Sequence, residues 1–148
     1  MKQRGRESRQ GRIEDDRIAE YVDSPRMRHR MQDGDWLVAT IDGNYGTYHT
    51  RARLQKGRGK PALRDWSCSC PSEYSPCKHV SALSETWAVN AATFEDLAPR
   101  WKSLSTRPKA QLIRLIREVG KVHPGVLRYA LGLSDRIEEF SESSEEDW

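Results

Sequence analysis

Residues 68–79 read Cys-Ser-Cys-Pro-Ser-Glu-Tyr-Ser-Pro-Cys-Lys-His, and they hold all three cysteines of the 148-residue chain. The spacing reduces to Cys-x-Cys, six residues, then Cys-x-His. In an extended strand, residues i and i+2 point to the same face, so Cys68 and Cys70 can offer both sulfur atoms to one ion. The loop that follows is long enough to bring Cys77 and His79 back to that ion.

This donor set favours zinc. Three thiolates and one imidazole at tetrahedral spacing suit zinc better than iron or copper, and four protein ligands close the coordination sphere. We therefore predict one structural zinc ion, bound by Cys68, Cys70, Cys77 and His79.

Two other interpretations of the cysteines are weaker. Three cysteines cannot pair evenly in disulfides, and a Cys-x-Cys disulfide is strained. A catalytic Cys77–His79 pair would leave two cysteines unexplained and has no group to orient the histidine. We accordingly expect that the protein is not an enzyme.

Turn residues divide the chain before the cysteines into short β-like runs. The breaks DGD, DGNYG and QKGRGKP supply the Gly, Asn and Asp residues that hairpin turns require. A three- or four-stranded antiparallel meander follows, and its last strand, residues 63–70, leads directly into the cysteines. Its strands are expected at the runs RMRHRMQ, WLVATI, TYHTRARL and ALRDWSCS.

Apolar residues at helical spacing predict helices before and after these strands in the sequence. A short helix is expected over residues 12–22, and another from about Lys78 to about Val89. Further on, a helical pair is expected, its first member closed by Gly120 and its second beginning at Pro124. The pair rests on the apolar residues Leu112, Leu115, Ile116, Val119, Val126, Tyr129, Ala130 and Leu133. These elements give an α+β fold.

At the cysteines the sequence resembles the SWIM zinc-finger family, whose pattern is often written CxCP…CKH. Six residues match that pattern position by position: Cys68, Cys70, Pro71, Cys77, Lys78 and His79. The resemblance implies a module that binds DNA or protein, found in bacterial proteins associated with chromatin-remodelling-type ATPases, in transposase-derived proteins and in recombination factors. It implies no reaction.

Composition and pattern together predict four parts of the chain. Residues 1–12 are expected to be a disordered basic arm, 13–90 a SWIM-type zinc-binding domain, 91–133 a C-terminal helical segment and 134–148 a disordered acidic tail. The tail holds seven acidic residues against Arg136, which leaves the remainder with 24 basic and 15 acidic residues. Such a tail either aids solubility or covers a basic face in competition with nucleic acid.

Basic residues alternate along the predicted strands. Arg51 and Arg53 share a strand face with His49, and the arginines of an earlier strand, Arg26, Arg28 and Arg30, alternate in the same way. Cations beside aromatic side chains suit a phosphate backbone with stacking bases, whereas a solvated face with core aromatics is the alternative. The predicted nucleic-acid-binding residues are Arg51, Arg53, Lys56, Arg58 and Lys60.

We therefore expect a non-catalytic zinc module that binds nucleic acid, with DNA as the first choice. The alternative is a protein–protein adaptor for an ATPase, a helicase or a recombination factor. No apolar run approaches the ~18 residues needed to span a bilayer, and no signal peptide is evident at the start of the sequence. A cytoplasmic location is expected.

Overall fold

A computed structural model describes residues 15–55 and 62–135 of the chain. The predicted basic arm lies outside the described residues, as do Lys56, Arg58, Lys60 and all of the predicted acidic tail except Ser134 and Asp135.

Within the part of the chain that the structure describes, five strands form one sheet. The four predicted strands are present and pair antiparallel in sequence order. A fifth strand, which the sequence did not predict, pairs parallel with the first and makes the sheet mixed, in the order β4-β3-β2-β1-β5. The strands are β1 Met27–Asp33, β2 Trp36–Asp42, β3 Thr47–Gln55, β4 Ala62–Cys68 and β5 Glu95–Asp96.

One face of the sheet forms the core. In β2, Leu37, Ala39 and Ile41 are buried while the residues between them are half-buried, which is the period-2 pattern of a strand with one covered face. Helix α2, Lys78–Asn90, covers this face with Val80 and Leu83, both fully buried. The predicted helix after the cysteines is thus confirmed.

A short helix precedes the sheet. The described part of α1 covers residues 15–19, and Tyr21 follows it with no exposed surface. Ile18 and Val22 are partly buried against the same core. The beginning of the predicted helix, residues 12–14, lies outside the described residues.

The chain divides into two compact units, one up to Ala98 and one from Pro99 onward. The helices after the sheet are α3 Ala98–Ser105, α4 Lys109–Val122 and α5 Pro124–Ala130. The predicted helical pair corresponds to α4 and α5, while the sequence did not predict α3. None of the helices in the described residues combines the length and hydropathy needed to span a bilayer.

The prediction that Gly120 closes the first helix of the pair is wrong. Helix α4 continues through Gly120 to Val122. A Cβ atom at position 120 would overlap the Leu127 side chain of α5. Gly120 therefore permits close packing of the two helices instead of ending one of them.

The observed elements confirm the α+β class, with the cysteine-rich segment placed between the sheet and α2.

Candidate metal centre

Strand β3 positions the first pair of cysteines. Cys68 is the last residue of β4 and lies opposite Thr50 of β3. The pairing continues one residue further, because the Ser69 amide donates to the His49 carbonyl (3.1 Å) and the His49 amide donates to Ser69 Oγ (2.9 Å). Cys68 consequently lies on the core face of the sheet, and the chain runs on along β3 to Cys70.

The beginning of α2 positions the second pair. Cys77 is the N-cap of the helix in an extended conformation, and its carbonyl accepts the first-turn hydrogen bond from the Ser81 amide (3.2 Å). His79 follows as the second helical residue. The loop between the two pairs is attached to β4, because Trp66 Nε1 donates to Ser75 Oγ (2.9 Å). All four predicted ligands are thereby brought together.

The geometry fits one tetrahedral ion. One ligand atom from each of the four residues lies within 4.8 Å of the others. His79 Nδ1 is 3.8 Å from Cys68 Sγ and 3.9 Å from Cys77 Sγ. A tetrahedral zinc with Zn–S of about 2.3 Å and Zn–N of about 2.0–2.1 Å requires sulfur-to-nitrogen separations of roughly 3.6 Å. Cys77 and His79 are buried, and Cys68 and Cys70 are half-buried.

Aromatic rings and a hydroxyl surround the four side chains. The His79 ring lies edge-on to Tyr21 (4.9 Å between centroids) and tilted against Tyr48 (5.1 Å). Its Nδ1 atom faces the sulfurs, whereas Nε2 is buried and has no hydrogen-bond partner among the described residues. Thr50 Oγ1 lies 3.2 Å from Cys68 Sγ. Sequence reasoning missed Thr50, Tyr21 and Tyr48, because their contacts with the ligands arise only from the fold.

The thiols differ in acidity. Hydrogen bonds from the Cys68 thiol and the His79 ring stabilise the Cys77 thiolate and lower the pKa of Cys77 to about 3. The hydrogen bond to Cys77, together with burial, raises the pKa of Cys68, and burial raises that of Cys70. One thiolate is therefore favoured at Cys77 by the protein itself. A bound zinc ion favours thiolates at the other two positions as well, and binding then releases protons.

The comparison with protein families agrees with this geometry. The family model described as SWIM zinc finger matches residues 48–88. The chain contains a SWIM zinc finger. The match covers nearly all of β3, β4, the four ligands and most of α2, and the Cys/His cluster of this SWIM finger can hold one zinc ion. The chain has no significant match among curated proteins or among solved structures.

The predicted nucleic-acid-binding arginines lie on the other face of the sheet. Arg51 and Arg53 project away from the core of the SWIM finger, and their guanidinium carbons lie 5.5 and 6.0 Å from the centroid of the Trp36 ring. Arg53 also pairs with Asp35 (3.0 Å). Arg51 Nε donates to Ser67 Oγ (2.8 Å). These contacts define an Arg51–Trp36–Arg53 cluster on the outer face of the sheet.

The arginines of the first strand do not extend that cluster as one alternating row. The pairing of β1 with β2 shifts register between Arg28 and Met31, and His29 adopts a left-handed φ of 53° at the irregularity. Arg28 forms a two-point pair with Asp42 at 2.7 Å. Arg30, with a side chain only 11% exposed, pairs with Asp23 at 2.7 Å. The register shift breaks the predicted alternation, and Arg30 is part of the packing.

Proposed function

We propose that the protein is a non-catalytic module that binds nucleic acid, with DNA as the first choice, through the outer face of its sheet. The observation that carries the proposal is the Arg51 guanidinium over the Trp36 ring, 5.5 Å from its centroid, on the face opposite the core. Among the described residues, Arg51 has no carboxylate within ion-pair distance.

Cations on an exposed strand face beside a large aromatic ring supply the two interactions that single-stranded or flexible nucleic acid uses, namely phosphate contact and base stacking. The described part of the second unit is also basic. Its described residues contain eight basic side chains against Glu118 and Asp135, and these are Arg100, Lys102, Arg107, Lys109, Arg114, Arg117, Lys121 and Arg128. A polyanionic partner suits both regions.

The zinc ion is proposed to be structural. Four protein ligands, two of them buried, leave no open coordination position for an activated water or a substrate. We also propose that the protein has no enzymatic activity and that it is cytoplasmic, where thiols stay reduced.

A salt titration tests nucleic-acid binding. If the chain contacts about four phosphates, the logarithm of affinity should fall against the logarithm of salt concentration with a slope of roughly −3 to −4. Arg51→Ala should weaken binding and lessen the slope by about 1. Arg17→Ala, which removes an exposed arginine of α1, serves as the control and should leave the slope unchanged. No binding to single- or double-stranded DNA or RNA at low salt would exclude this function.

A protein adaptor is the second candidate. Leu115, Val119 and Val122 of α4 are 41%, 46% and 66% exposed, which is unusual for apolar residues on one face of a helix. Such a face favours a protein contact, and the partner would be an ATPase, a helicase or a recombination factor. Retained partner binding by an Arg51→Ala variant that has lost nucleic-acid binding would separate the two candidates.

A further inference from the structure

Helix α4 carries an apolar stripe that lacks a cover among the described residues. The stripe follows the i, i+3, i+4, i+7 spacing of one helix face and consists of Leu112, Leu115, Ile116, Val119 and Val122. All but Leu112 are more than 40% exposed. Gly120 is the only buried residue of the helix, where Leu127 of α5 packs against it. The remaining stripe is exposed, and contiguous exposed apolar surface of this kind often marks a binding site.

The charged residues of α4 indicate what kind of segment can bind this stripe. The polar side of α4 carries Arg114, Arg117 and Lys121 against Glu118, which pairs with Lys121 at 2.9 Å. Helix α4 contains four basic residues and one acidic residue, so pairing two α4 helices through this stripe would bring like charges together. An acidic segment with apolar side chains is the complementary ligand.

The chain contains one such segment. Residues 136–148 read Arg-Ile-Glu-Glu-Phe-Ser-Glu-Ser-Ser-Glu-Glu-Asp-Trp, with six acidic residues against Arg136. Ile137 and Phe140 are three residues apart, and the carboxylates surround them. The segment begins six residues after α5, which packs against α4.

The connection is long enough and makes binding favourable. Phe140 is seven positions after Leu133, the last apolar described residue, and this stretch can span up to about 24 Å when extended. Helix α4, with 14 residues, is about 21 Å long. A short tether of this kind gives an effective concentration of about 1 mM, so a weak contact suffices.

We propose that the acidic segment 136–148 binds the exposed apolar stripe of α4, with Ile137 and Phe140 against the stripe and the carboxylates beside the basic side chains of the helix. The bound segment covers the face that a protein partner would use and neutralises part of the positive field of the second unit. It therefore acts as an internal competitor for acidic or amphipathic partners of this face. This inference does not depend on nucleic-acid binding by the sheet.

Hydrogen exchange of the α4 and α5 amides tests the proposal. The full chain is compared with a chain ending at Asp135, with Ile137→Ser/Phe140→Ser and with the control Ser141→Ala/Ser143→Ala. If the free segment binds with a Kd of about 0.1 mM, the truncated and Ile137→Ser/Phe140→Ser chains should exchange about 10-fold faster in α4, and the control should match the full chain. A synthetic peptide of residues 136–148 at about 1 mM should restore protection to the truncated chain.

Equal α4 exchange in the full and truncated chains would overturn the proposal. Protection that is the same in both chains and rises with protein concentration would also overturn it, because a second copy would then be the occupant. Leu115→Ser/Val119→Ser in the full chain should abolish the effect of truncation. If that variant loses its helix by circular dichroism, the variants at Ile137 and Phe140 still decide the question, since they change no residue of α4.

Discussion

The hydroxyl of Thr50 lies 3.2 Å from the sulfur of Cys68, and Thr50 itself is 1% exposed. A buried hydroxyl at this distance can donate to a thiolate, which steadies the negative sulfur and fixes the orientation of the ligand. Contacts of this kind behind metal ligands tune affinity. Strand β3, which pairs with β4, therefore supports the metal site although it supplies no ligand.

Replacing Thr50 by valine keeps the shape of the side chain and removes the hydroxyl. We expect Thr50→Val to weaken zinc binding by about 10- to 100-fold while the fold is retained. Competition with a chelator of known affinity at fixed pH measures the effect. Thr40→Val is the matched control, because its hydroxyl contacts His29 on the other face of the sheet. Unchanged affinity in Thr50→Val would show that the hydroxyl does not support the thiolate.

Removal of one ligand should abolish stoichiometric metal binding. Purified wild-type protein is expected to contain one zinc ion per chain, and Cys77→Ser almost none, since Cys77 is the buried sulfur that the protein itself favours as a thiolate. Elemental analysis gives the ratio. Ser72→Ala, in the exposed loop between the ligand pairs, should keep the full zinc content. A folded wild-type protein without metal would contradict the assignment.

Chelation should unfold the two units unequally. Zinc links the end of β4 to the first turn of α2, and its binding free energy in such sites, of order 10 kcal/mol, is largely folding free energy. A strong chelator should therefore accelerate amide exchange in β2, β3 and α2 by several orders of magnitude. Exchange in α4 and α5, which belong to the other unit, should change little. Unchanged exchange around β3 and α2 would mean that the sheet is stable without zinc.

Arg30 is expected to be the most important arginine for stability. Its guanidinium donates to the carbonyls of Met27 and Ser24, to Thr93 and to Asp23, at 2.7–3.1 Å. Lysine keeps the charge but cannot form these four hydrogen bonds from one planar group, so Arg30→Lys should lower the free energy of unfolding by about 2 kcal/mol. Urea unfolding in excess zinc measures it.

The control for Arg30 is Arg51→Lys, on the exposed face, which should stay within about 0.5 kcal/mol of wild type. Equal stability of the two variants would show that the contacts of Arg30 are energetically unimportant.

Local pattern was sufficient to predict the four strands and the ligand cluster. Turn residues mark the hairpins, and alternation marks strands such as β2. The Cys-x-Cys and Cys-x-His spacings contain the geometry of the site within twelve residues. These features depend on residues that are close in the sequence, so they can be predicted from the sequence alone.

The features that were missed depend on distant contacts. β5 is only two residues long and exists because it meets β1. The register shift in β1 that turns Arg30 inward has no signature in the local sequence. Gly120 resembles a helix end in the sequence, but its lack of a side chain makes room for Leu127 of the next helix. The contact of Thr50 with Cys68 likewise needs the register of two strands.

The strand order has a consequence for how the molecule can be divided. The family match, residues 48–88, contains β3 and β4 but omits β1, β2 and β5. A fragment with these limits would lose Leu37 and Ile41, both fully buried, and would leave the hydrogen-bonding edge of β3 bare. Bare edges of this kind recruit strands from other molecules and lead to aggregation. A fragment from Tyr21, which is buried in the core, to Leu97, whose amide donates to the Gln32 carbonyl, keeps all five strands and is roughly twice the length of residues 48–88.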